Sequence, residues 1–204
     1  MCGRYYIGEA VEADELREII EEVNRRSNSA EVKTAGEIFP ADVVPIIASS
    51  QKLASTVFPM KWGYSMLGGK LVFNARSESA AEKPMFKDGM AQRRCAVPAS
   101  NYFEWEHSGR EKTKYAIKPS GSTVMYMAGI YRMEQGKPVF SILTREPAER
   151  IRFIHDRMPV VISRELIGDW INPKYTAEDL LQNAILDVDY QKADEEKDVQ
   201  PSML

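Results

Sequence analysis

Residues 94–144, RCAVPASNYFEWEHSGREKTKYAIKPSGSTVMYMAGIYRMEQGKPVFSILT, decide the fold. Five runs rich in β-branched and aromatic residues follow one another: Arg94 to Val97, Tyr102 to Trp105, Tyr115 to Lys118, Thr123 to Tyr131 and Val139 to Thr144. Ser108-Gly109, Ser120-Gly121 and Gln135-Gly136 separate them, with the chemistry of hairpin connections. Upstream, Val43 to Ala48, Leu53 to Tyr64 and Leu71 to Phe73 repeat the pattern, with Gly68-Gly69 as a further turn. Such even spacing predicts a curled antiparallel sheet or barrel. Around it, Val11 to Val23 sets Leu16, Ile19, Ile20 and Val23 on one helical stripe with glutamates opposite. Asn24 to Gly36 reads as a polar loop. Helices are expected at Ser77 to Lys83, Pro147 to Ile154, Arg164 to Ile171 with Ser163 as N-cap, and Ala177 to Ala184 after Thr176. The class is α+β, a β core with peripheral helices. One domain is expected over residues 1–186, followed by an acidic, loosely held tail over 187–204.

The 204 residues are enough for one domain with a sizeable core. No apolar run approaches the ~20 residues of a membrane helix and no signal-peptide pattern opens the chain, so a cytoplasmic protein with no membrane partner is expected. Cys2, Cys95, His107 and His155 offer no zinc spacing, so no metal is expected. The net charge of -3 hides an uneven distribution. Residues 1–22 hold seven acids against Arg4 and Arg17, and 178–204 hold eight against Lys192 and Lys197. The 15 acids and 23 bases left in between give the body a net +8, a surplus suited either to a polyanion or to an ordinary solvated surface.

Cys2 directly follows the initiator methionine. Removal of Met1 would leave a 1,2-aminothiol, whose amine titrates near ~8 and whose thiol near ~8.5. Such a group condenses with an aldehyde through nitrogen and closes a five-membered ring through sulfur, or acts as an N-terminal nucleophile on an amide.

Four further segments stand in order along the chain. Met1-Cys2-Gly3-Arg4 opens it, Asn74-Ala75-Arg76-Ser77-Glu78 follows a strand, Tyr102-Phe103-Glu104-Trp105 lies mid-chain, and His155-Asp156-Arg157-Met158-Pro159 follows a helix. Together they resemble the SRAP family, the SOS-response-associated peptidases, also known as abasic-site-processing proteins. The resemblance extends to Lys61-Trp62-Gly63-Tyr64, to Met85-Phe86 and to the run around Cys95, and covers Met1 to Ile171. It implies a protein that recognises abasic sites in single-stranded DNA and joins them covalently as a thiazolidine through Cys2, without a cofactor. A self-processing peptidase step and a strand-cutting lyase step accompany that activity, and a monomer that joins the nucleoid on DNA is expected.

Residue by residue, the resemblance makes Cys2 the nucleophile, Asn74 the residue that orients the cysteine or the opened sugar, Glu104 the general acid and base, and His155 an assistant in proton transfer. Arg4, Arg76 and Arg157 match phosphate-holding positions. Pro40, Trp62 and Trp105 complete the expected DNA-binding set. Two departures stand out: Glu37 replaces the family's usual asparagine before Ile38-Phe39-Pro40, and Ser65 to Gly69 is short, which leaves base stacking to Phe39, Trp62 or Trp105. Taken singly, each residue has a plainer reading. Asn74 would be turn chemistry, Glu104 an exposed strand residue, His155 a helix-end contact, Trp62 and Trp105 packing, and Cys95 and Trp170 core. Two other functions also fit: an N-terminal-cysteine amidase on other substrates, and a non-covalent single-strand-binding module.

Overall fold

A computed structural model describes residues 2–8, 14–26, 32–50, 52–108 and 111–193. The first half of the chain contributes β1 (Tyr5–Ile7), α1 (Asp14–Arg26), β2 (Gly36–Ile38), β3 (Val43–Ser49), β4 (Ser55–Trp62), β5 (Tyr64–Ser65), β6 (Leu71–Val72), β7 (Asn74–Arg76), α2 (Ser77–Ala80) and α3 (Lys87–Gln92). The second contributes β8 (Arg94–Ala99), β9 (Asn101–Ser108), β10 (Glu111–Pro119), β11 (Met125–Glu134), β12 (Lys137–Arg145), β13 (Met158–Pro159), β14 (Val161–Ile162), α4 (Ile167–Ile171), α5 (Ala177–Leu181) and β15 (Val188–Lys192).

Strands β12, β4, β3, β8 and β11 pair in that order, and β11 pairs back to β12, which closes a five-stranded barrel. All its pairings are antiparallel except β12 with β4, which run parallel, as do β12 and β7. Successive side chains point to opposite faces of a strand. Ile46, Val97 and Phe140 accordingly join one core cluster, whereas their neighbours Ile47, Ala96 and Val139 join another that meets α1, α3 and α4. Burial on both faces explains why Val43 to Ala48 reads as an unbroken apolar run. A second sheet, antiparallel throughout, runs β15-β10-β9-β1-β2. Its Tyr5, Tyr102 and Ile117 pack into the same cluster as Phe140 of the barrel.

The expected α+β class with a curled β core is the architecture found. At Gln135-Gly136 the hairpin forms as expected: φ is 50° and 78° at the two turn residues, and Glu134 pairs with Lys137. Ser120-Gly121 is a correction, because β10 belongs to the open sheet and β11 to the barrel, so the turn carries the chain between sheets. Ser163 does not cap α4: Leu166 donates to Ser163 O in a turn and the helix starts at Ile167. Pro147 to Ile154 yields a single 3-10 turn at Glu149–Ile151. The acidic segment after 186 begins with a strand, because Val188–Lys192 pairs with β10 at the sheet edge. The expected helix start at 11–13, Gly109 of the Ser108-Gly109 turn and the tail at 194–204 lie outside the described residues. Among those described, no helix is long and apolar enough to cross a membrane.

Candidate active site around Cys2

The register of the open sheet sorts the middle motif into two faces. Tyr102 lies opposite Ile117 and Tyr5, and Glu104 opposite Tyr115, so these side chains share the face toward the barrel. Phe103 and Trp105 project the other way. Glu104 is only 4% exposed. Cys2 is fully buried in the same cluster as Tyr5, Tyr102 and Tyr115, with its Sγ 3.9 Å from Arg4 O. Asn74 comes from β7, which the barrel holds against β12 at Ile142. Its Nδ2 donates to Cys2 O at 2.8 Å. Three residues separated by up to 102 positions therefore converge because one sheet lies over the barrel edge that carries β7.

Burial sets the electrostatics. It pushes the Glu104 carboxyl up to about 7, against the pull of the positive chain terminus, and the Asp156 charge adds to the rise. Burial also raises the Cys2 thiol far above its ordinary range, and the Glu104 charge reinforces that shift. At neutral pH Glu104 thus exchanges a proton readily while the enclosed thiol keeps its own. The hydroxyls of Tyr5 and Tyr102 and the Oδ1 of Asn74 are buried without a hydrogen-bond partner among the described residues. Orphaned polar atoms of this kind are costly, and in a cluster they mark a place prepared for a polar guest. Tyr5 and Tyr102 were not anticipated. The period-2 signal in Tyr102-Phe103-Glu104 would have found Tyr102, since it must share a face with Glu104.

His155 lies on the loop that follows the 3-10 turn. The Arg157 amide donates to its Nδ1 at 3.0 Å, which in a neutral ring leaves the proton on Nε2. Asp156 Oδ1 also lies 2.8 Å from Nδ1.

The expected DNA-binding residues divide. Arg76 is exposed, two residues from Asn74 and on the same face of β7. Arg4 lies between the Phe39 ring at 4.4 Å and the half-buried Trp105 at 5.0 Å, and its Nη1 reaches Glu37 Oε2 at 3.2 Å. Pro40 is half-buried beside exposed Phe39. Arg157 is engaged by a two-pronged contact with both Glu78 oxygens at 2.8 Å and by Thr144 O at 2.6 Å. Trp62 is a correction. It is fully buried, stacked against Phe140, and its Nε1 donates to Phe73 O at 2.9 Å, so it has no face to offer a base. Gly63 after it has φ 112° and a would-be Cβ 3.1 Å from Leu71 Cβ, so the motif Trp62-Gly63 is a packing device.

Three comparisons with known proteins bear on this arrangement. The model of the family described as SOS response associated peptidase (SRAP) matches residues 1–201. The abasic site processing protein YoaM of Bacillus subtilis is 31% identical over 93% of this chain and 87% of its own length. A Saccharomyces cerevisiae abasic site processing protein is 26% identical over 79% of this chain and 52% of its own. Among solved structures, a Bacteroides thetaiotaomicron protein superposes with a TM-score of 0.73 at 24% identity, covering 94% of this chain and 91% of that one. At that identity the likeness concerns the fold alone.

Proposed function

Since the chain belongs to the SOS response associated peptidase family, we propose that it processes abasic sites in single-stranded DNA by forming a thiazolidine with Cys2. The observation that carries this reading is the burial of Cys2 beside a carboxyl group that titrates at about 7, with Asn74 holding the cysteine backbone.

The chemistry follows from those protonation states. Hydrolysis of the Met1–Cys2 amide frees the α-amine: water gives its hydroxyl to the methionine carbonyl and a proton to the amine. Because the enclosed thiol holds its proton, nitrogen and not sulfur attacks first. The amine lone pair forms a bond to C1′ of the ring-opened sugar, the C=O π pair moves to oxygen, and one proton passes from nitrogen to that oxygen to give a carbinolamine. Expulsion of water needs an acid, and the Glu104 carboxyl, raised by burial, supplies the proton and leaves a carboxylate and a protonated imine. The imine is then attacked by the Cys2 sulfur. Its thiol proton passes to the Glu104 carboxylate as the S–C bond forms, and the C=N electron pair returns to nitrogen, which keeps the proton it already carries. Overall, aldehyde and aminothiol become thiazolidine and one water. Asn74 keeps Cys2 from swinging away during both bond formations, and His155 serves the sugar hydroxyl released on ring opening. Reversal uses the same groups in the opposite direction.

The test is incubation with an oligonucleotide that contains one abasic site, followed by a denaturing gel. A shifted band is expected with the natural chain and none with a tetrahydrofuran analogue, which has no aldehyde. A band that dissolves under denaturation would assign the protein to non-covalent binding. Hydrolysis of peptide substrates without a DNA adduct would assign it to the amidase reading.

A further inference from the structure

We propose that Arg4 and Lys114 form a two-cation site for one phosphodiester of the bound strand, and that Glu37 fills this site until DNA displaces it. The inference rests on the reading of the protein as a DNA binder and adds to it an anion site with a built-in competitor.

The geometry is that of a carboxylate standing in for a phosphate. Glu37 divides its two oxygens: Oε2 faces Arg4 Nη1 at 3.2 Å, and Oε1 accepts from Lys114 Nζ. Both cations are confined by rings. Arg4 lies between Phe39 and Trp105, and Lys114 Nζ is 4.0 Å from the Phe103 ring centre and 5.9 Å from that of Trp105. Lys114 is 7% exposed, so its charge cannot be left to water and requires an anion at this place. Glu37 meets that requirement from the short edge strand β2. Arg4 is two residues from Cys2, and Trp105 follows Glu104 on the opposite face of β9.

A phosphodiester oxygen pair offers the same charge and a similar span between donors. The exchange conserves pairing: the strand's phosphate takes up the contacts with Arg4 and Lys114, and Glu37 turns to solvent, where it is already 22% exposed. Glu37 therefore acts as a threshold. Weak or misplaced anions fail to displace it, while a strand fixed at neighbouring contacts does so at little cost.

The test measures affinity for an undamaged oligothymidylate across salt, so it is independent of covalent chemistry. Glu37→Gln keeps the side-chain shape and removes the competing charge. It should tighten binding by about fivefold at low salt, the scale of one ion pair no longer competing. It should also steepen the salt dependence by about 0.7, the share of one phosphate contact. In the background of Lys114→Met, which removes the second cation, the same change should gain less than twofold, and thermal melts of each variant report folding separately. Unchanged or weaker binding by a folded Glu37→Gln variant would overturn the proposal, as would an equal gain with and without Lys114. Absence of any adduct with an abasic oligonucleotide would sink the covalent reading but leave this result standing.

Discussion

Strand β9 presents two unlike surfaces. Toward the barrel it turns Tyr102 and Glu104, which are desolvated, border Cys2 and carry displaced proton affinities. On the other side it turns Phe103 and Trp105, which border Arg4, Lys114 and Glu37 in a paired, partly wetted network. The alternation that makes a strand thus separates a desolvated acid beside a thiol from a partly wetted network of charges within four consecutive residues. On the buried side a charge is controlled by withholding water; on the open side it is controlled by partners and remains subject to salt. Substitutions on the two sides should accordingly fail in different ways.

The largest effect is expected at Cys2. Cys2→Ala removes sulfur and should abolish the denaturation-resistant adduct, while Cys2→Ser should leave at most an imine that is lost on heating, both read on gels with and without a borohydride quench. Glu104→Gln should come next, slowing adduct formation by about 10²-fold or more. This variant also separates chemistry from folding. Because the Glu104 pKa is raised from 4.5 to about 7, its burial favours the protonated form. The stability it permits is complete below about pH 4.5 and declines as pH rises through 7. The glutamine variant, neutral at every pH, should therefore melt higher than the parent at pH 8 and close to it at pH 4.5. A parallel loss of stability and rate would contradict the division between the faces.

A smaller effect is expected at Asn74, whose contact with Cys2 O is a single hydrogen bond. Asn74→Ala should slow the reaction by about tenfold, the worth of one well-placed bond at ~1–1.5 kcal/mol, without altering affinity for undamaged strands. Arg76→Ala should do the reverse. As an exposed cation beside the site, it should weaken strand binding modestly and reduce the salt slope by about 0.7, with the rate at saturating DNA unchanged, as measured by titration at several salt concentrations.

The legible parts of the molecule are those where local pattern and burial agree. The runs at 43–48, 94–97 and 139–144 announced the barrel strands because both of their faces are apolar. The stripe of Leu16, Ile19, Ile20 and Val23 announced α1 because its one apolar face is the buried one. Strands β1, β2, β7, β13 and β14 span only two or three residues, too few for a period to register, and exist because longer neighbours hold them. Parallel pairing of β12 with β4 and β7 is a long-range outcome that no hairpin signal encodes. At the site, the motifs named Cys2, Asn74, Glu104 and His155, but motif spacing carries no depth. Trp62 therefore read as a possible stacking platform although it lies at the centre of the core, and Lys114 stayed unnoticed among surface lysines although it is nearly enclosed.

The most direct test of the central claim is the intact mass of the product formed with a defined abasic oligonucleotide, without reductant. The account predicts the mass of the chain lacking Met1 plus that of the oligonucleotide, less one water, with fragmentation placing the DNA on residue Cys2. An adduct that retains Met1, that requires borohydride to survive, or that maps to a lysine would contradict it.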